Sequence, residues 1–283
     1  MLMVDGSLAR EHVRDQYFDQ SWDKFNAAVD SRRPKSADDL PKQAGFYWLL
    51  PDIIVCSPRP SWNYTDNQPT NAYGTHKYIS SPTSTTTEKV SEFSDPDSNA
   101  LSILETQFLN YASRTGSILD EAASSQSSHS GGIPRLSRVY ATGGASANTT
   151  ILSLAADIFG SNVCKNVEYE PETGWVGAHW NACSVGMAYK ARWGYERTKK
   201  GKEMIQFDEL IHDCREERRI ARKEHEGKDL RVDADVDEGV RIVARPGKGS
   251  EAYAKSIEWW AGLEKRALGE SEAAAESGKV NGH

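Results

Sequence analysis

A short strand that passes into a helix through two glycines is the feature that most constrains this chain. The segment extends from Arg138 to Gly160, and the glycines are Gly143 and Gly144. Apolar residues with the i, i+3, i+4, i+7 spacing of a helix follow them, namely Ile151, Leu154, Ala155 and Ile158. Glycines at such a junction permit a tight turn and leave backbone N–H groups uncovered, and the helix N-terminus adds partial positive charge. The turn is therefore predicted to favour an anion such as a phosphate.

The elements around this turn predict an α/β fold. A strand at 138–142, the helix after the glycines, a strand at 162–167 and a helix at 181–192 alternate along the chain. The other predicted elements are helices at 8–17, 21–29, 98–119 and 250–268 and strands at 2–4 and 45–50, the last one stopped by Pro51.

Polar stretches separate these elements. Serine, threonine and proline dominate the residues near 57–98, and a second serine-rich stretch covers 121–134, so both are predicted to be flexible, disordered insertions. Residues 195–268 are predicted to form a helical extension, and residues 269–283 a disordered tail.

Composition limits the classes of partner. The 283 residues carry a net charge of −7, which gives no electrostatic case for binding nucleic acid or an anionic membrane surface. No apolar run approaches the length needed to span a bilayer, and the first residues do not have the pattern of a signal peptide, so we expect a cytoplasmic protein. The cysteines Cys56, Cys164, Cys183 and Cys214 are too far apart for a CxxC pair and are expected to be free thiols.

Residue chemistry alone leaves the role of the glycine turn open. Gly143 and Gly144 would let a phosphate or ribose approach the backbone, and the Asn148 amide could both donate to and accept from a nucleoside. The turn could equally be a purely structural one, with Asn148 as a helix cap.

A third interpretation is a hydrolase. Ser146 lies where a nucleophile elbow would place its serine, and Asp213 and His225 follow in the required order, although Asn148 replaces the final glycine of the motif.

Two familiar nucleotide motifs are excluded: there is no GxGxxG, and Gly247-Lys-Gly-Ser lacks the upstream glycine of a Walker loop.

Seven stretches, in order along residues 1–194, resemble the C-terminal domain of FGGY-family carbohydrate kinases, most closely the eukaryotic, fungal-type xylulose kinases. The stretches are Asp5–Arg14, Ser21–Phe25, Gly45–Tyr47, Glu105–Phe108, Ala141–Asn148, Ala156–Phe159 and Asn181–Ala191. The glycine motif with its helix is the most specific of them.

The resemblance implies an actin-like, ribonuclease-H-like ATPase fold, with residues 1–194 as its nucleotide-binding domain. It implies that Gly143, Gly144 and Ala145 line the nucleotide, that Asn148 contacts the adenosine and that Trp22 borders the adenine pocket. From the residues alone, Trp22 is instead a core tryptophan of an amphipathic helix. ATP would enter as MgATP, and no residue of this chain is assigned as a metal ligand.

The implied function is ATP-dependent phosphorylation of D-xylulose to D-xylulose 5-phosphate, a pentulose kinase reaction. Because the family's catalytic aspartate, sugar-binding residues and phosphate loop lie upstream of the first motif, no catalytic residue is assigned here. The chain is expected to be a truncated nucleotide-binding half with little or no activity of its own. The alternative is a non-catalytic nucleotide-binding or interaction module. Asp5 and Leu101 depart from the family pattern, and Thr173–Trp180 resembles an insertion.

Overall fold

The computed structural model describes the residues 6–54, 70–80, 83, 86–123, 136–170, 173–178, 182–199, 206–226, 236–237 and 239–280. It is a mixed α/β structure that divides into two compact units. The first unit is Met1–Val139, Ala145–Val163 and Ala244–His283, and the second is Tyr140–Gly144 and Cys164–Val243. The predicted α/β class is confirmed, whereas the assignment of 1–194 as a nucleotide-binding domain stays a prediction.

The first unit combines a three-stranded sheet with five helices of the described chain. Its elements are α1 (Gly6–Tyr17), α2 (Trp22–Arg32), β1 (Gln43–Ile54), β2 (Thr70–Ile79), β3 (Glu88–Val90), α3 (Ser98–Ala123), α4 (Thr149–Phe159) and α7 (Ser250–Val280). The sheet order is β1-β2-β3, with antiparallel pairing throughout. Helix α3 packs on β1, α7 packs on β2, and α3 also packs on α1, α2 and α4.

The second unit contains most of a five-stranded sheet. Its elements are β5 (Asn162–Glu170), β6 (Gly174–Gly177), α5 (Ala182–Lys199), α6 (Phe207–Glu226), β7 (Val236–Asp237) and β8 (Val240–Ala244). The sheet also includes β4 (Arg138–Tyr140). Its strand order is β4-β5-β8-β7, and β6 pairs with β5. The boundary between the units passes through β4, β5 and β8. Helices α5 and α6 pack against each other.

The core of the first unit is aromatic. Phe46 and Trp48 of β1 are fully buried, and the Phe46 ring lies 5.5 Å from the Trp260 ring of α7. Burial of side chains this large contributes about 1.5–3 kcal/mol each. The same core receives Phe25 from α2 and Leu154 from α4, so both of these helices are anchored in it.

Three predictions about loops and ends are wrong. Strands β2 and β3 lie within the predicted insertion near 57–98, because β2 pairs with β1 along its length, a non-local interaction that composition does not reveal. Helix α7 continues to Val280, so the described part of the predicted tail is helical, with Ser271 buried. Strand β1 also passes Pro51, where the register with β2 shifts and the missing N–H of proline is tolerated.

Other sequence predictions have mixed outcomes. Residues 195–268 include strands β7 and β8 as well as helices. The predicted strand at 2–4, the remainder of 57–98 and residues 124–134 of the second insertion lie outside the described residues. Cys164 and Cys214 are buried free thiols, as predicted. In the described chain, no helix is both long and apolar enough to cross a membrane.

Candidate nucleotide site

The glycine turn forms where the sequence predicts it, between β4 and α4. Gly143 has a φ of +82°, a left-handed conformation that side chains rarely adopt. A one-turn 3-10 helix, Gly144–Ala147, then leads into α4. A Cβ built on Gly143 or on Gly144 would meet no atom of the described residues within 4 Å. The glycines therefore leave open space above the backbone, which a ligand could use.

Asn148 caps α4. Its backbone is extended, with φ −92° and ψ 109°, and its Oδ1 accepts a hydrogen bond of 3.1 Å from the Ile151 N–H. This satisfies one of the N–H groups that a helix start leaves without an intrahelical acceptor. The helix-cap interpretation of Asn148 is therefore confirmed, and its contact with adenosine stays a prediction.

One face of α2 lies against the start of α4. The Nδ2 of Asn148 donates to Oδ1 of Asn26 at 2.8 Å, and the Thr150 hydroxyl donates to Oδ2 of Asp30 at 3.1 Å. Trp22, Asn26 and Asp30 follow one another at i, i+4, i+8, which places them on one face of the helix. Trp22 therefore lies one helical turn from the partner of Asn148.

Trp22 also contributes to packing. Its half-buried ring packs against the core and meets the Phe25 ring edge-on at 5.4 Å, while the Arg14 guanidinium lies 4.7 Å from its centroid. The core-tryptophan interpretation is supported by these contacts. These contacts fix the position of the indole. An indole that borders a base would also need a fixed position.

The boundary between the units falls inside the glycine turn. Gly143 and Gly144 belong to the second unit, whereas Ala145, Asn148 and Trp22 belong to the first. Within the first unit, the structure brings Asn148 together with the α2 face. Gly143 and Gly144 are joined to that group through the continuous chain at Ala145, which accepts from the Asn148 N–H at 3.1 Å.

The hydrolase interpretation finds no support in these geometries. Ser146 lies within the 3-10 helix Gly144–Ala147 rather than on a sharp strand-to-helix elbow. The Asp213 side chain is 72% exposed and pairs with the neighbouring His212, so it is not a buried acid held ready to orient a base. The side chain of His225 lies outside the described residues.

The motif Glu105–Phe108 joins three parts of the first unit. Glu105 is fully buried and accepts a 2.9 Å hydrogen bond from the Tyr253 hydroxyl; burial raises its pKa to about 8, against the opposing effect of that bond. Thr106 donates to the carbonyl of Gly45, and Gln107 accepts from Arg10 at 2.6 Å. These family-like residues therefore have structural roles that link α1, β1, α3 and α7.

Asp157, in the motif Ala156–Phe159, holds the loop before α7. Its Oδ1 accepts from the Gly247 N–H at 2.5 Å, and its Oδ2 lies 3.9 Å from Nη1 of Arg33. Burial raises the pKa of Asp157, and the hydrogen bond from Gly247 and the charge of Arg33 oppose the change. The Gly247 amide is thus committed to Asp157, which agrees with the exclusion of a Walker loop there.

Sequence reasoning missed Asn26 and Asp30, the residues that tie α2 to α4. Neither belongs to a recognised motif. The only available signal was their i+4 and i+8 spacing from Trp22. That spacing has meaning only once α2 and α4 are known to be neighbours, a tertiary contact that one sequence does not reveal.

Comparison with known proteins bears out the predicted relationship. No family model matches the chain. A protein named probable D-xylulose kinase A from Aspergillus fumigatus is 29% identical over 216 residues, which is 73% of this chain and 32% of that protein. Xylulose kinase 2 of Arabidopsis thaliana is 31% identical over 208 residues, 71% of this chain and 30% of that protein. The xylulose kinase of Schizosaccharomyces pombe is 30% identical over 216 residues, 74% of this chain and 32% of that protein.

The chain is therefore related to carbohydrate kinases. Within that class, the curated proteins it matches in fungi and in a plant are named xylulose kinases, and the resemblance found in the motifs is confirmed. The chain spans about a third of the length of these relatives.

Proposed function

We propose that this chain is the nucleotide-binding part of an ATP-dependent, xylulokinase-like carbohydrate kinase of the FGGY family with an actin-like ATPase fold. The observation that supports this proposal is the glycine turn itself. Gly143 has a positive φ, a Cβ on Gly144 would meet no described atom, and both glycines precede a capped helix. The similarity to xylulose kinases adds the chemical class of the ligand.

The proposed site uses Trp22, Gly143, Gly144, Ala145 and Asn148. The phosphates would approach the open backbone of the glycines, where the partial positive charge of the α4 N-terminus favours an anion. The adenosine would lie towards Asn148 and Trp22, whose positions are fixed by the cap and by the contacts with Phe25 and Arg14.

Phosphotransfer to D-xylulose is proposed for the whole kinase rather than for one residue here. In-line transfer depends on positioning, on stabilising charge at the γ-phosphate and on a group that takes the hydroxyl proton of the acceptor. The residues described above supply the first of these, positioning of the nucleotide. MgATP is accordingly the substrate for which we expect this chain to have measurable affinity.

Calorimetric titration with MgATP and with ADP tests the proposal. Gly144→Val is a clean variant because its side chain would enter space that no other described atom occupies, and because Gly144 does not need a positive φ. We expect at least a tenfold loss of affinity, or about 1.4 kcal/mol, at an unchanged unfolding temperature. Gly177→Val is the matched control, since this exposed strand residue is equally open, and it should bind as the wild type does.

The result that would overturn the proposal is a wild-type chain with no affinity for either nucleotide. Equal affinity in wild type and Gly144→Val would remove the turn from the site. A coupled assay with ATP and D-xylulose then separates the two candidate functions. Turnover supports a kinase, whereas nucleotide binding without turnover supports a binding module.

A further inference from the structure

The amide of Asn148, which the family resemblance assigns to adenosine, makes one hydrogen bond to the protein from each of its two ends. Its Oδ1 accepts from the Ile151 N–H and its Nδ2 donates to Oδ1 of Asn26. These two bonds fix which end of the amide faces α4 and which faces α2. A ligand that displaced either bond would cost the helix its cap or the α2–α4 contact.

Asn26 presents a different situation. Its Oδ1 accepts from Asn148, and in the described chain its Nδ2 donates to no protein atom. An amide nitrogen carries two N–H donors. Because Nδ2 is bonded to the same carbon atom as Oδ1, these donors lie close to the contact between Asn26 and Asn148. They belong to a residue one helical turn from Trp22.

We propose that Asn26 is a ligand-contacting residue of the nucleotide site, that its Nδ2 donates to an acceptor of adenosine, and that Asn148 is the positioning residue that orients it. The inference rests on the proposed function. Adenosine offers two kinds of acceptor, the ring nitrogens of the purine and the hydroxyl oxygens of the ribose. Asn26 would therefore contribute selectivity to the site, because it favours a ligand that carries such an acceptor beside Trp22.

The α2–α4 interface supplies variants that separate donation from anchoring. In Asn26→Asp, a carboxylate oxygen can still accept from Asn148, but the two donors are lost. The new charge lies near the positive end of α4, which offsets its repulsion from Asp30 at i+4. Thr150→Val is the matched control, because it breaks the other α2–α4 hydrogen bond and leaves the Asn26 amide intact.

The experiment is calorimetric titration with adenosine, whose lack of charge avoids repulsion from the introduced carboxylate. We expect Asn26→Asp to keep the wild-type unfolding temperature and to bind adenosine about three- to tenfold more weakly, the range of one neutral hydrogen bond. Thr150→Val should unfold at a lower temperature with unchanged affinity. Asn26→Ala should lose both stability and affinity.

A parallel titration with 2′-deoxyadenosine identifies the acceptor. Equal losses for both ligands place it outside the 2′-hydroxyl, whereas a loss only for adenosine assigns it to that hydroxyl, and either result supports the proposal. Wild-type affinity in Asn26→Asp, or an equal loss in Thr150→Val, overturns it while leaving the nucleotide site in place. A wild-type chain that binds neither adenosine nor ADP contradicts the proposed function as well.

Discussion

Glu105 makes the stability of this chain depend on pH in a direction opposite to that of an ordinary surface carboxylate. The side chain is buried in the first unit, and the charged form has one described hydrogen-bond donor, the Tyr253 hydroxyl. Burial raises the pKa of Glu105 from its ordinary value of 4.5 to about 8, and the bond from Tyr253 only partly opposes this. The folded protein therefore holds a proton on Glu105 that the unfolded chain releases at neutral pH.

The sign follows from this difference in proton binding. The stabilising contribution of the proton on Glu105 is fully present below the unfolded pKa of 4.5 and is lost as the pH rises through the folded pKa of about 8. Each pH unit within that window lowers the free energy of unfolding by about 1.4 kcal/mol. Between pH 5 and pH 7 the contribution of this one group therefore falls by about 2–3 kcal/mol.

Glu105→Gln tests this prediction, because glutamine has the same shape and its carbonyl can still accept from Tyr253. Urea unfolding is followed by tryptophan fluorescence, to which the buried Trp48 and Trp260 of the same unit contribute. The difference in free energy of unfolding, variant minus wild type, cancels the other titrating groups and should rise by about 2–3 kcal/mol from pH 5 to pH 7. Glu258→Gln, at an exposed position of α7, controls for the exchange itself. A difference that stays constant with pH would refute the reasoning.

Two other predictions concern backbone and cap. Gly249→Ala should destabilise by more than about 3 kcal/mol, because its Cβ would clash with the Pro34 carbonyl oxygen. Gly262→Ala lies in mid-helix, where an added Cβ meets no described atom, and should stabilise by about 0.5–1 kcal/mol; urea unfolding measures both, and equal effects would contradict the packing. Asn148→Ala should cost about 1 kcal/mol through loss of the bond to the Ile151 N–H, and an unchanged unfolding temperature would show that the cap contributes nothing.

Local patterns were sufficient to predict most of the elements. The turn at Gly143, the helix after it, the end of α1 and the starts of α2 and β5 follow from periodicity and from glycine chemistry. These features depend on residues within a few positions of one another. A single sequence therefore contains the information needed to place them.

Strand β2 could not be predicted because its stability is non-local. Lys77 is 2% exposed, and its Nζ is held by Glu92 at 2.6 Å and by the Tyr17 hydroxyl at 2.9 Å. Burial would raise the pKa of Glu92, but the hydrogen bonds from Lys77 and Tyr17 outweigh it and lower the pKa. A lysine in a polar stretch indicates a solvated loop unless these distant partners are known.

The candidate site likewise contains residues that the sequence revealed and residues that only the structure revealed. Motif resemblance identified the turn and Asn148, and the structure shows that Asn148 caps α4, while its contact with adenosine stays a prediction. Asn26 and Asp30 became visible only when the structure placed α2 against α4. Contacts of this kind join residues about 120 positions apart in the chain, and no spacing rule within either helix predicts them.

The most direct test of the central claim, that the glycine turn holds a nucleotide, is a calorimetric titration of MgATP into the wild type, Gly144→Val and Gly177→Val. The account predicts saturable binding to the wild type and to Gly177→Val, with affinity at least tenfold weaker in Gly144→Val at an unchanged unfolding temperature. Absence of binding to the wild type, or equal affinity in all three proteins, would contradict it.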